Sequence, residues 1–119
     1  MAVETINIPL QSSTVKPFIK QGDTIEAYEI DIIEPGLDLT TCVIKMQLYN
    51  NGNMVMDIST GSGITALSAI TLQIDTYTSA QNNLPEGKSV GDLEVTTAAG
   101  VRTTYFNMAY NIDKQYTRP

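Results

Sequence analysis

Histidine and tryptophan are absent from this sequence of 119 residues, and it contains one cysteine, Cys42. Without histidine the chain lacks the commonest general base and the commonest metal ligand, so neither a catalytic triad nor a Cys-His zinc site can form. One cysteine excludes an intrachain disulfide, and an unpaired thiol fits assembly in a reducing cytoplasm. Because residues 41–44 have the composition of a strand, we interpret Cys42 as a small buried apolar side chain.

Positive charge is also scarce, since seven lysines and arginines stand against 13 acidic residues and the net charge is −6. Nucleic acids and anionic membranes bind clustered basic side chains, so we expect neither as a partner. Residues 1–5 lack the basic and apolar segments of a signal peptide, and no apolar run reaches the roughly 18 residues of a membrane helix. The charge favours solubility, or a basic protein surface as a neighbour.

Short segments with alternating apolar and polar side chains make up most of the sequence, and turn-forming residues separate them. The predicted strands lie at 5–10, 15–19, 27–32, 41–49, 54–58, 70–75, 89–96 and 101–112. Residues 76–83 are the one candidate for a helical turn, and residues 59–63 are interpreted as a flexible loop. The pattern predicts an all-β fold, namely a single immunoglobulin-like antiparallel β-sandwich of seven to eight strands, in one domain over residues 1–119.

Alternation within these strands assigns each side chain to the core or to the surface. The side chains predicted to point inward on two of the strands are Cys42, Ile44, Met46 and Leu48, and Phe106, Met108, Tyr110 and Ile112. Tyr28 also falls on a core face, whereas Tyr49, Tyr105 and Tyr116 fall on outward or terminal positions. Exposed tyrosine is frequent in protein-contact surfaces. The alternative is sugar stacking, as in a lectin, although no Asn or Asp groups with these tyrosines as a sugar site requires.

Two pairs of carboxylates are the remaining candidates for acid–base chemistry. Glu29 with Asp31, and Asp92 with Glu94, lie two residues apart on predicted strands and so share a face, which we interpret as the solvent face. The oxygen-rich segment 75–83 lacks the spacing of a calcium loop, and residues 61–63 lack that of a phosphate loop or nucleophile elbow. We therefore predict no enzyme activity, no catalytic, cofactor-binding or metal-binding residue, and no cofactor, and the sequence does not identify the binding residues.

Nine short motifs occur in an order and spacing that are found together in one kind of protein. They lie at residues 20–24, 37–40, 45–48, 61–65, 70–72, 84–87, 91–95, 101–103 and 115–118. In this order they resemble a β-sandwich module of tailed bacteriophages, the N-terminal domain of the baseplate upper proteins of phages that infect Gram-positive bacteria. The chain departs from that family at Gly91, where the family has an aromatic residue, and at Tyr116, where it has a valine.

The resemblance implies a β-sandwich without catalytic residues and a place in the virion. We expect a structural or accessory protein that is assembled in the host bacterial cytoplasm and docks onto tail, baseplate or capsid proteins in symmetric copies. Residues 25–119 form the matched core, and residues 1–24 hold the first strands and an N-terminal docking segment. The proline-interrupted part of that segment, 5–24, is predicted to contact the partner. The alternative is a glycan- or receptor-binding tip module of a phage fibre.

Overall fold

The computed structural model describes residues 14–78 and 81–114, and most of these residues belong to eight β-strands. The strands are β1 (Thr14–Lys20), β2 (Tyr28–Asp31), β3 (Val43–Asn50), β4 (Asn53–Thr60), β5 (Gly63–Ala66), β6 (Thr71–Ile74), β7 (Gly87–Thr96) and β8 (Arg102–Asp113). The described residues include a 3-10 turn at Leu39–Thr41 and no α-helix. The all-β prediction is confirmed, while the predicted strand at 5–10 lies outside the described residues.

All eight strands belong to one sheet, in the order β1-β8-β7-β3-β4-β5-β6-β2, which curls into a half-barrel. The pairs β1–β8 and β4–β5 are parallel, and the other neighbouring strands are antiparallel. Seven of the predicted strands are present, and β5 was not predicted. The expected purely antiparallel arrangement is wrong, and a sandwich of two separate sheets is not confirmed. Alternation fixes the face that a side chain takes, but it does not fix the strand with which the backbone pairs.

The edge strand β1 occupies the segment predicted as a strand at 15–19. Its register against β8 shifts between Lys16 and Ile19, and Pro17 lies within this irregularity. Proline has no N–H to donate to a ladder, so an edge strand with a break in register is where it is tolerated.

A tight turn of two residues joins β4 to β5, which lies beside the end of β4 and runs parallel to it. We call this turn the β4–β5 corner. Parallel neighbours normally need a connection of about a dozen residues or more, because the chain must return to the start of the first strand. Two residues suffice here because only the last two residues of β4 lie beside the first two of β5. Ser59 N–H donates to the Ser62 carbonyl (3.0 Å), and Gly61 N–H donates to the Ile64 carbonyl (2.9 Å). Residues 61–63, predicted to be a flexible loop, are therefore a hydrogen-bonded corner.

The buried apolar side chains form one cluster to which every strand contributes. The predicted inward side chains of both strands are buried: Cys42, Ile44, Met46 and Leu48, and Phe106, Met108, Tyr110 and Ile112. Cys42 itself lies between the 3-10 turn and β3, where its thiol donates a hydrogen bond to the Asp38 carbonyl (3.2 Å). The interpretation of Cys42 as a buried residue is confirmed.

Tyr105 is the exception, because it was predicted to face outward and is buried. Leu93 of β7 pairs with Phe106, whereas the next residue, Glu94, pairs with Thr104. One residue of β8, Tyr105, is therefore extra to the ladder, and such a bulge lets two successive side chains enter the core. The Tyr105 hydroxyl donates to a carboxylate oxygen of Glu34 (2.5 Å), which satisfies its polar end.

Side-chain hydrogen bonds organise the segment after β6, where the sequence predicted a helical turn. The Thr78 carbonyl accepts from the N–H groups of Gln81 and Asn82, both at 2.9 Å, which makes a single turn that does not continue. The buried Asn82 side chain donates to the Asp23 carbonyl (2.7 Å) and accepts from Leu84 N–H (3.2 Å). Asn82 thus ties this segment to the loop after β1.

A pair of tyrosine hydroxyls joins strands that are far apart in the sheet. Tyr28 of β2 and Tyr110 of β8 approach to 2.6 Å between their hydroxyl oxygens. Five strands separate β2 from β8 in the sheet order, so the contact crosses the interior of the half-barrel. Burial raises the pKa of Tyr110 to about 12, and burial together with the neighbouring Tyr110 raises the pKa of Tyr28 above its usual value.

We expect the protein to lose stability as the pH rises above about 10. Tyrosine in the unfolded chain ionises near pH 10, whereas Tyr110 in the folded chain keeps its proton to about pH 12. The unfolded state therefore loses protons first, and the free energy of unfolding, unaffected below pH 10, falls between pH 10 and 12. Urea unfolding at pH 8 to 11 measures this fall, which Tyr110→Phe should make less steep. A slope that the substitution leaves unchanged would contradict the assignment.

Candidate binding surface

The carboxylate pairs that the sequence singled out lie on the surface of the sheet. Glu29, Asp31 and Asp92 are exposed, as predicted, and Glu94 is half-buried. Asp31 accepts a hydrogen bond from the Thr71 hydroxyl (2.7 Å), and Glu94 lies 3.9 Å from the Arg102 guanidinium. Each of these two contacts is a surface interaction that stabilises the fold only slightly.

Asp75, the first residue of the oxygen-rich segment, is held by neighbouring side chains. Its carboxylate accepts from the Thr65 hydroxyl (2.9 Å) and from the Gln73 amide (3.0 Å). Within residues 14–78 and 81–114, no three Asp, Glu, Cys or His side chains are grouped so that they could hold a metal ion.

A cavity of about 550 Å³ lies where β4 and the segment after β6 diverge. Buried Met56, Ile74 and Tyr110 line it, and Asp57 and Asp75 also border it. The sequence does not predict this cavity, because its lining residues come from segments that are far apart in the chain. Since Asp75 is already hydrogen-bonded, the cavity offers no obvious pair of free carboxylates.

Four apolar side chains on the outer face of the sheet lie side by side on four adjacent strands. The backbone register places Met54 of β4 opposite Tyr49 of β3, Tyr49 opposite Val90 of β7, and Val90 opposite Ala109 of β8. Residues directly opposite each other in antiparallel strands share a face. We call these four residues, Met54, Tyr49, Val90 and Ala109, the apolar row.

The larger members of the apolar row are accessible to solvent. The exposed fractions are 50% for Met54, 40% for Tyr49 and 45% for Val90, whereas the small Ala109 is covered by its neighbours. A run of large apolar side chains across adjacent strands is a feature of contact surfaces, whereas single exposed apolar residues are common everywhere. The row is therefore the strongest candidate for a binding surface among the described residues.

An irregularity in register brings Met54 to this face. The β3–β4 register shifts between Leu48 and Tyr49, so that Leu48 pairs with Met56 but Tyr49 pairs with Met54. Strict alternation would place Met54 on the same side as the buried Met56 and Ile58. The sequence pattern carries no mark of the extra residue, and reading it alone misses Met54 as a surface residue.

Charged and amide side chains border the apolar row along the strands. Lys88 and Asp92 are exposed on β7, two residues before and two residues after Val90, and so share its face. Gln47 and Asn107 lie opposite Asp92 on the two neighbouring strands, while Asn111 lies opposite Lys88. Asp57, exposed on β4 opposite Gln47, lies on the same flank as Asp92. The row thus has one positive side chain on one flank and two negative ones on the other.

Two shallow grooves of about 290 and 310 Å³ interrupt this face on either side of Asp92. Gly91 lines both of them, because it has no side chain and the backbone of β3 comes very close to it. A β-carbon built on Gly91 would overlap the carbonyl oxygen of Gln47. This close approach gives a physical reason for glycine at position 91.

The predicted contact residues are only partly brought together. Tyr49 is exposed and belongs to the apolar row, Tyr105 is buried, and Tyr116 lies outside the described residues. Of the predicted docking segment 5–24, residues 14–20 form β1 and pair with β8, and residues 5–13 lie outside the described part.

Comparisons with protein families, with characterised proteins and with solved structures give no match. In the part of the chain that the structure describes, no helix has the length and apolar character needed to cross a membrane.

Proposed function

We propose that this chain is a bacteriophage virion structural or accessory protein that docks onto tail, baseplate or capsid components through protein–protein contacts. The observation that carries the proposal is the exposed apolar row across β4, β3, β7 and β8. Tyrosine and methionine are enriched in protein interfaces, and a sheet face that buries them against a partner gains roughly 25 cal/mol for each Å² of apolar surface. Because the sequence motifs resemble those of the phage baseplate module, we propose that the partner proteins belong to a virion.

The strand order supports an immunoglobulin-like sandwich as the finer description of this fold. If the sheet is divided at the β4–β5 corner, one half has the order β1-β8-β7-β3-β4 and the other has β5-β6-β2. In immunoglobulin-like terms these are the A-G-F-C-C′ and D-E-B layers. Only two residue pairs, Ser59 with Gly63 and Thr60 with Ile64, join the halves at that corner. The hydroxyl contact between Tyr28 and Tyr110 then joins the two layers across the core.

Mass spectrometry of purified particles tests the proposed place in the virion. The particles should come from a phage whose genome encodes this chain, and heads and tails should be separated before digestion. The proposal expects the chain in one fraction, at a constant ratio to the major protein of that fraction. Absence from both fractions would exclude a virion protein.

A complementation experiment tests the surface. A chain carrying Tyr49→Ser and Val90→Asp should fold and yet be incorporated at least about tenfold less than wild type, since these substitutions remove the apolar contacts and add a desolvated charge. Glu29→Lys, an exposed position on β2 in the other half of the sheet, serves as the control and should be incorporated normally.

One observation favours the alternative, a glycan- or receptor-binding tip module. The groove of about 290 Å³ is lined by Tyr49, Gln47 and Asp92, which combine an aromatic ring with an amide and a carboxylate. Such a set can stack on one sugar ring and hydrogen-bond its hydroxyls. Binding of the isolated chain to host cell-wall glycans, abolished by Tyr49→Ala, would establish this alternative. The proposed docking function expects no such binding.

A further inference from the structure

We propose that a second copy of this chain covers the apolar row, and that the two copies are related by a two-fold axis running along the row, perpendicular to the strands. The inference rests on the proposed function in that it assigns a partner to the same surface. It adds the identity and the orientation of that partner, both of which follow from the arrangement of side chains on β7 and its neighbours.

The orientation follows from the order of charges on β7. A two-fold axis in the plane of the interface makes each contact occur twice, with the same patch on both subunits. If the axis runs along the row, the strand direction is reversed, and Lys88 of one subunit faces Asp92 of the partner subunit. If the axis runs along the strands through the centre of the row, β7 faces β3 of the partner subunit, so that Asp92 faces the partner's Gln47 and Lys88 faces the turn after β3. Only the first arrangement pairs the two opposite charges.

The apolar and amide side chains agree with that arrangement, whereas Asp57 faces the β3–β4 turn of the partner subunit and gains no opposite charge. An axis along the row brings Met54, Tyr49 and Val90 against the same residues of the partner, so apolar surface meets apolar surface. Asn107 and Asn111 lie on opposite flanks of Ala109 on β8, and the axis places each against the other in the partner subunit. Neutral amides can donate and accept hydrogen bonds in such a pair.

The size of the surface predicts a weak dimer. The row crosses four strands that lie about 4.8 Å apart, so it is roughly 14 Å wide. The charged and amide side chains on each flank are two residues further along the strand, about 7 Å from the row. Such a patch, roughly 200 Å² on each copy, is smaller than the interfaces of stable complexes. The net charge of −6 on each copy adds repulsion. We expect a dissociation constant in the micromolar range or weaker, which is sufficient where a virion holds copies at high local concentration.

Charge-reversal variants test the partner and the orientation together. In Lys88→Asp, an acid faces Asp92 of the partner subunit twice, and in Asp92→Lys a lysine faces the partner's Lys88 twice. Sedimentation velocity over a range of concentrations in 0.15 M salt should show that either substitution weakens self-association about tenfold or more. The double variant, whose net charge equals that of wild type, should dimerise like wild type. A one-to-one mixture of the two single variants should form heterodimers, since both of its contacts are then complementary.

Glu29→Lys is the matched control for Asp92→Lys, because both add two positive charges and only Asp92 borders the row. The control should dimerise at least as well as wild type, and circular dichroism should show that each variant keeps its fold. A wild-type chain that stays monomeric at millimolar concentration would overturn the inference, as would single variants whose mixture forms no heterodimer. Neither result affects the detection of the chain in virions, so a failure here is distinguishable from a failure of the proposed function.

Discussion

Replacing Gly91 by alanine should lower the free energy of unfolding by about 3 kcal/mol or more, because the added methyl group has no space. A β-carbon at this position would overlap the carbonyl oxygen of Gln47, which is part of the β3 backbone. A flexible side chain could turn away, but this oxygen can move only if the β3–β7 pairing shifts around Leu48. Urea unfolding monitored by circular dichroism measures the loss.

Gly36→Ala is the matched control for Gly91→Ala. Gly36 has a φ of +86° and nothing within 4 Å of a built β-carbon, so alanine there meets only the cost of a left-handed backbone, about 1 kcal/mol. If Gly91→Ala costs no more than Gly36→Ala, β7 and β3 are not as close as the structure has them. The register of β7, on which the face of Val90 and Asp92 depends, would then be in question.

Replacing Tyr110 by alanine should lower the free energy of unfolding by about 3 to 5 kcal/mol, as is usual when a buried aromatic ring is removed from a core. The Tyr110 ring is inaccessible to solvent, and its hydroxyl contacts Tyr28 across the half-barrel. Tyr110→Phe keeps the ring and loses only that hydrogen bond, so a cost of about 1 kcal/mol is expected. The comparison separates packing from hydrogen bonding at this site.

Tyr49→Ala provides the reference for an exposed tyrosine on the same sheet. Tyr49 is 40% exposed on the outer face, and its replacement should cost well under half as much as Tyr110→Ala. Equal costs for the two alanine variants, measured by the same urea titration, would mean that the sheet does not curl around Tyr110. The interior contact between β2 and β8 would then be wrong.

Much of the secondary structure could be predicted from the sequence, because alternation is a local property. The segment from Ile44 to Leu48 shows an apolar residue at every second position, and each of these side chains is buried in β3. The same alternation predicts β8, in which every second side chain from Phe106 to Ile112 is buried. Burying one face of a strand requires that period, whatever the strand pairs with.

The pairing of the strands could not be predicted, since it depends on contacts between distant segments. Nothing near Thr14 or Ser59 marks β1 as a parallel neighbour of β8, or β4 as a parallel neighbour of β5. The burial of Tyr105 and the exposure of Met54 have the same origin. Each lies at a register shift that changes the face of a single side chain, so strict alternation assigns neither correctly.

For the same reason, the sequence predicts only part of the candidate binding surface. Tyr49 could be identified as an outward tyrosine, but the apolar row also needs Met54 and Val90 beside it, and only the register brings these together. The sequence predicts that residues 5–24 contact the partner. For residues 5–13, which lie outside the described part of the chain, this stays a prediction. Residues 14–20 are the strand at one end of the sheet order among the described residues.

Photo-crosslinking within the assembled particle examines the proposed contact surface most directly. A benzophenone side chain in place of Tyr49 should form a covalent product with a second copy of the chain or with another virion protein. The same group in place of Glu29, exposed in the other half of the sheet, should form little or none. A product at position 29 and none at position 49 would show that the outer face of β4, β3, β7 and β8 is not where this protein meets its neighbours.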